Sequence, residues 1–248
     1  MKLQRLILVL VFAAFLYADV MYEMMTTSEG MMGMDGGETM MSIFLKDDRS
    51  RTEVLSKNPM TGEIKNIYIT RLDKEVIWIL DAENKQYSET KIGEEIAEEE
   101  EQTETVVPDI KIEKTGKKKV LLDKMCEEIV ISMNVESEGN SMNFTQIMWV
   151  TSDIPGYTEI KNFNDKMNEV GLKSSSTSSM FGNKKSFEEF QRKISEIEGF
   201  PLEIDLDMTM GSEEMSFSIK TTSVVTKIDS KPISEKVFEI PEGYSLKE

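Results

Sequence analysis

Apolar and polar residues alternate over most of this chain, and the alternation predicts strands. From Asp19 to Leu55 two extended segments flank a glycine-rich tip at Gly30, Gly33, Gly36 and Gly37, the pattern of a long hairpin. Its second arm, residues 40–54, sets Arg49, Arg51 and Glu53 on alternate positions, so one face of its outer half is expected to be wet. After a turn at Asn58, Pro59 and Gly62, the runs 64–72 and 75–80 and the return through 85–88 read as a meander. Val76, Trp78 and Leu80 point one way and Ile77 and Ile79 the other, so both faces are expected to be covered. Further antiparallel strands are predicted over 106–113, 118–122, 127–135 and 143–151.

Past Pro155 and Gly156 the period becomes helical. Ile160, Phe163, Met167 and Val170 predict an amphipathic helix over 158–170, stopped by Gly171. A second helix follows a serine-rich loop at 173–179: Ser186 and Glu189 form a capping box, Phe187, Phe190, Ile194 and Ile197 form an apolar stripe, and Gly199 ends it. Strands resume at 202–210, 215–228 and 237–240, and in the first of these Leu202, Ile204, Leu206 and Met208 alternate with Glu203, Asp205 and Asp207. The fold class is α+β: a large antiparallel sheet with two helices inserted between its strands, their apolar stripes laid on a concave sheet or closing its mouth.

The first 18 residues alter the address. Lys2 and Arg5, an apolar run over 6–17 and Ala18 before Asp19 read as a signal peptide, too short for a relaxed membrane span. The remaining 19–248 suit one domain, exported to the periplasm or beyond, with an acidic linker or loop at 94–105 whose first 11 residues hold seven glutamates. Losing Lys2 and Arg5 takes the net charge from -17 to -19, which argues against nucleic acid or an anionic membrane surface as partner. The chain has one cysteine, Cys126, and no histidine. No internal disulfide can close, and Cys126 in a strand-like run reads as a small buried hydrophobe. Ser-His and Cys-His catalytic pairs and histidine zinc sites are excluded.

Several short motifs occur in a telling order: Trp78-Ile79-Leu80-Asp81 before Lys85-Gln86-Tyr87, Lys124-Met125-Cys126-Glu127, Met148-Trp149 leading to Asp153-Ile154-Pro155-Gly156, Gly199-Phe200-Pro201, and Phe238-Glu239-Ile240-Pro241-Glu242-Gly243-Tyr244. Together they resemble the bacterial exported family catalogued as domain of unknown function 4412, itself similar to the periplasmic lipoprotein carrier and receptor (LolA/LolB-like) fold. The resemblance implies a half-open, strongly curved antiparallel sheet, an incomplete barrel with two amphipathic helices packed on its concave side and an apolar interior able to hold acyl chains.

Four functions compete. The first is a non-enzymatic carrier that hides a lipid or a lipoprotein acyl chain from water, gaining roughly 0.8 kcal/mol per methylene. Its expected lining is Tyr68, Trp78, Leu80, Met133, Phe144 and Met148 from the sheet, with Phe163, Met167, Phe187 and Phe190 from the helices. It needs no cofactor, and its partner is a hydrophobic ligand or a lipidated protein. The second starts from eight methionines between Met21 and Met41: thioethers select Cu(I), and Met31, Met32 and Met34 at the tip would converge on it. The third, an enzyme, rests on Asp205 and Asp207 or Glu213 and Glu214 as a carboxylate pair for glycoside hydrolysis. These positions read as solvated surface, no phosphate loop or nucleophile elbow accompanies them, and the expectation is no enzyme. The fourth is an interaction module of the cell envelope, binding a protein through the hairpin or an open sheet edge.

Overall fold

The computed structural model describes residues 19–29, 36–58, 62–93, 109–137, 140–170, 184–212 and 215–247. The leader, residues 30–35 of the glycine-rich tip, the acidic run, the serine-rich loop and Glu213 and Glu214 lie outside the described residues. Twelve strands are described: β1 Val20–Ser28, β2 Gly37–Lys46, β3 Arg49–Asn58, β4 Gly62–Arg71, β5 Val76–Asp81, β6 Gln86–Lys91, β7 Asp109–Leu121, β8 Lys124–Ser137, β9 Asn140–Thr151, β10 Phe200–Ser212, β11 Ser216–Ser230 and β12 Ser245–Leu246. Helix α1 is Tyr157–Glu169 and helix α2 is Lys184–Ser195, both between β9 and β10.

The strands form one sheet in the order β12-β6-β5-β4-β3-β2-β1-β11-β10-β9-β8-β7. Every neighbour pair is antiparallel except β12 with β6, and the outer strands β7 and β12 do not pair, so the sheet is not closed. The expected α+β class, mostly antiparallel sheet with two helices, is the one observed. Because β1 pairs with β11, the first strand sits in the middle of the sheet, between the meander and the C-terminal hairpin.

Directly paired residues share a face, so register divides the side chains into two sets. On one face Val20, Tyr22 and Met24 of β1 stand beside Leu45, Ile43 and Met41 of β2 and Ile228 and Val225 of β11. Helix α1 lays Ile160 and Phe163 on this group, with Met167 half-buried beside them. On the same face, β7 to β10 contribute Ile110, Ile129, Ile131, Met133, Met142, Met148 and Met208, and Phe190 of α2 packs on them. Both helices therefore lie on this helix face.

On the other face a buried apolar cluster forms at β4 and β5, where Ile67, Ile69, Val76, Trp78 and Leu80 lie beneath the C-terminal segment that carries Ile240 and Tyr244. This segment, running from Lys231 to Lys247, acts as a strap. Its start is tied to the chain's first described residue: Asp19 Oδ2 accepts bonds from Ile233 N at 2.6 Å and Lys46 Nζ at 3.0 Å. Three strand arginines then hold it. Arg71 binds the Phe238 carbonyl at 3.2 Å and the Glu239 carboxylate at 2.7 Å, Arg51 binds the Val237 carbonyl at 3.3 Å, and Arg49 pairs with Glu235. Arg49 and Arg71 are direct cross-strand partners, so the carboxylates of Asp47, Asp73, Glu235 and Glu239 also relieve a like-charge pair. Those contacts raise the Arg71 pKa and hold the Asp73 carboxyl below its ordinary value.

Five sequence expectations are corrected here. The single arm 40–54 is two strands, β2 and β3, turning at Asp47 and Asp48, with Asp47 at φ 51°; aspartate tolerates that left-handed backbone, so the turn forms without glycine. The face carrying Arg49, Arg51 and Glu53 is half-buried rather than wet, because the strap crosses it. Residues 237–240 are not a strand: Glu235–Phe238 is a 3₁₀ turn that drops Phe238 into full burial. Ser186 is not a cap, since α2 already begins at Lys184. Ile79, expected to be covered, is 38 % exposed on the helix face.

Cys126 is wholly buried, and burial pushes its thiol pKa up. Little thiolate forms and little reagent reaches it. Ellman's reagent is expected to leave Cys126 untouched in the native protein at mildly alkaline pH and to titrate one thiol in denaturant; rapid native reaction would show that the β8 start opens locally.

Candidate functional site

The sheet residues expected to line a cavity do not share one surface. Met133, Phe144 and Met148 come together under α2, and Phe190 meets Phe144 edge to face with ring centroids 5.5 Å apart. Phe163 and Met167 belong to the separate cluster under α1. Tyr68 lies on the same face but pairs with Thr52 and Ile79, outside both clusters. Trp78 and Leu80 are on the opposite face under the strap, because Trp78 pairs with Ile69 and Leu80 with Ile67. They cannot line a space beneath the helices. Trp78 is fully engaged there: its indole N–H donates to Glu89 at 2.8 Å, and Lys74 Nζ and the Arg71 guanidinium stand 5.0 and 5.7 Å from its ring. The side chain of Phe187 and residues Met31, Met32 and Met34 lie outside the described residues.

Beneath α2 the deepest positions are filled. Ile131 is 0 % and Met133 3 % exposed, so both are packed against their neighbours over nearly their whole surface. Around this core stands an apolar border that is only half-buried: Ile204, Leu206 and Met210 on β10, Phe144 on β9 and Ile219 on β11. Sequence reasoning singled out Phe144 but passed over Ile204, Leu206 and Met210, although their alternation with Asp205 and Asp207 was visible. Helix α2 covers the core with Phe190 and Ile194, Ile197 joins them just past its end, and Lys193 Nζ donates to the Ile110 carbonyl of edge strand β7 at 2.7 Å. The arrangement offers an apolar strip with a helical wall.

The remaining candidates have ordinary surroundings. Asp205 accepts a bond from Thr222 at 2.7 Å and Asp207 pairs with Lys220 at 3.1 Å, both on the face away from the helices. Among the described residues no three Cys, Asp or Glu side chains converge as a metal set. Met24 pairs with Met41 and Met25 with Met40, but these pairs lie on opposite faces of β1 and β2, so only two of those thioethers share a face at either level. An open groove of about 640 Å³ at the strand ends is lined by Thr27, Ser28, Gly36, Gly37, Glu38, Lys57, Gly62 and Glu63, none of them an apolar side chain. No described helix is long and apolar enough to cross a membrane.

Comparison with known proteins gives a family and a loose structural likeness. No curated protein matches the chain. A solved structure from Vibrio parahaemolyticus, of a domain named for outer membrane lipoprotein sorting, is 7 % identical with a TM-score of 0.31, covering 90 % of this chain and 89 % of that one. The family model described as Domain of unknown function (DUF4412) matches residues 24–244, from the first strand to the end of the strap, and the chain belongs to that family.

Proposed function

We propose that this is an exported, non-enzymatic binding protein that holds an apolar ligand, a lipid or the acyl chain of a lipoprotein, on the helix face. The observation that carries the reading is the half-buried border of Phe144, Ile204, Leu206, Met210 and Ile219 beside the filled core under α2. Five apolar side chains kept partly in contact with water on one continuous strip cost stability unless something covers them in use. An acyl chain laid along the strip with α2 as its wall would bury methylenes at roughly 0.8 kcal/mol each, with no chemistry required. The signal-peptide reading of residues 1–18 supports a place in the cell envelope or outside the cell, where its partner would be a free lipid or a lipidated protein. The half-barrel with helices on its concave side is the geometry this function would use.

Native mass spectrometry of the exported protein, followed by organic extraction, tests the reading. A lipid or acylated peptide at near one-to-one ratio is expected, and a protein that is empty and does not take up oleate counts against it. Leu206→Asp places a carboxylate on the strip without entering the fully buried core, and is expected to weaken oleate binding about tenfold or more, the equivalent of about 1.4 kcal/mol. Unchanged affinity would move the ligand elsewhere.

A further inference from the structure

One row of side chains on the helix face is polar, and it runs directly into the apolar strip. Across the register, Ser56 of β3 stands beside Thr39 of β2, Thr39 beside Thr26 of β1, and Thr26 beside Ser223 of β11; the same row continues through Ile204, Met148 and Ile129. From β3 to β8 no member of this row is charged. The neighbouring row on one side, Val54, Met41, Met24 and Val225, is apolar and leads under α1. On the other side Ser28 and Thr221 lead to Leu206. The floor next to the ligand strip is thus a patch of hydroxyls bounded by hydrocarbon.

Threonine and serine ladders also stabilise strands by cross-strand bonds, and this one does so: Thr26 Oγ1 and Ser223 Oγ are 2.8 Å apart, Thr39 Oγ1 and Ser56 Oγ 3.2 Å. The bonds leave capacity unused. Two hydroxyls carry two O–H donors, and the bond between them consumes one, so each pair retains a donor and several lone pairs. All four residues are half-buried and therefore reachable. The four hydroxyls themselves carry no charge, and the chain's net charge of -17 sets it against an anionic head by long-range repulsion.

Resting on the apolar-ligand reading above, we infer that the row Ser56, Thr39, Thr26 and Ser223 receives the uncharged, hydrogen-bonding head of a neutral amphiphile, such as a glycerol ester, whose acyl chain lies along Ile204 and Leu206. The head both donates to and accepts from the hydroxyl pairs, and the chain continues where the row turns apolar. A carboxylate or phosphate head would lose more hydration than these uncharged hydroxyls return to it.

The test compares two probes with the same chain, mono-oleoylglycerol and oleate, on the wild-type protein and on the double variant Thr26→Val/Ser223→Ala. The wild type is expected to bind mono-oleoylglycerol about tenfold more tightly than oleate. The double variant is expected to lose that preference while keeping its oleate affinity. Thr222→Val, on the opposite face, is the control and leaves both affinities unchanged. Thr39→Val provides a second break in the row and is expected to reduce the preference by itself, so the outcome does not hang on the folding of one variant. Equal binding of the two probes by the wild type, or a preference that survives in the variants, overturns the neutral-head inference and leaves the apolar-ligand reading standing. Failure of both probes to bind the wild type overturns both.

Discussion

Phe238→Ala is expected to lower stability by about 3–5 kcal/mol, the range for removing a fully buried phenylalanine ring. The ring is 0 % exposed and sits with the Arg49 guanidinium 5.7 Å from its centroid. Its backbone carbonyl is also one of the acceptors that neutralise Arg71, whose side chain is 6 % exposed and which depends on Asp73, Glu239 and that carbonyl for its partners. Losing the ring leaves a cavity, and any drift of the strap to fill it pulls acceptors from three arginines at once. Urea denaturation should show the midpoint falling with the slope unchanged if strap and sheet unfold together. Because Trp78 lies under the strap, its emission should move to longer wavelength in the variant before the main transition if the strap detaches alone. A loss below about 1 kcal/mol, well short of the usual cost of emptying such a site, would mean that the strap is not part of the cooperative unit.

The strap also explains where sequence reasoning stops. Alternation in Val76, Ile77, Trp78, Ile79 and Leu80 correctly divides these residues into two sets, yet nothing local says which set joins the helix face. That depends on the register through β3 and β4, where Arg51 pairs with Ile69 and Thr52 with Tyr68, and so on a turn at Asp47 and Asp48 that lacks a glycine signal. With that turn missed, one strand is lost from the count and the facing of everything after it becomes a guess. Alternation alone therefore puts Trp78 and Leu80 in a cavity that they face away from. Helix α1 and the long strands β10 and β11 are legible to within about two residues, and α2, whose period is equally local, is legible as a helix with both ends set about three residues late.

What remained hidden has a common cause: it is held by contacts between residues far apart in the chain. Residues 237–240 have a strand composition and become a turn plus an extended strap only because Arg49, Arg51 and Arg71, nearly 170 or more positions earlier, capture their carboxylates and carbonyls. The half-buried border at Ile204, Leu206 and Met210 was visible as an amphipathic strand. Its incomplete cover follows from where α2 lands, which strand alternation does not encode. The family resemblance, by contrast, was readable because it rests on the order of short motifs, and the family match over 24–244 spans all of them.

Gly156→Ala is expected to cost about 2–5 kcal/mol, through left-handed backbone and overpacking together. Gly156 is the N-cap of α1 at φ 70°, and a Cβ there would fall 2.0 Å from Val20 Cγ2. Val20 is 0 % exposed, in the middle of the sheet between Leu45 and Ser230, so it has no free space to retreat into. The helix must move instead, lifting Ile160 and Phe163 from β1 and β2. The two causes can be separated by a cycle with Val20→Ala. That change makes room for the new Cβ, so the double variant should recover more than about 1 kcal/mol relative to the sum of the single effects, while the backbone cost stays. Strict additivity would mean that the close approach to Val20 is relaxed at no cost, and that α1 is seated by its apolar stripe alone.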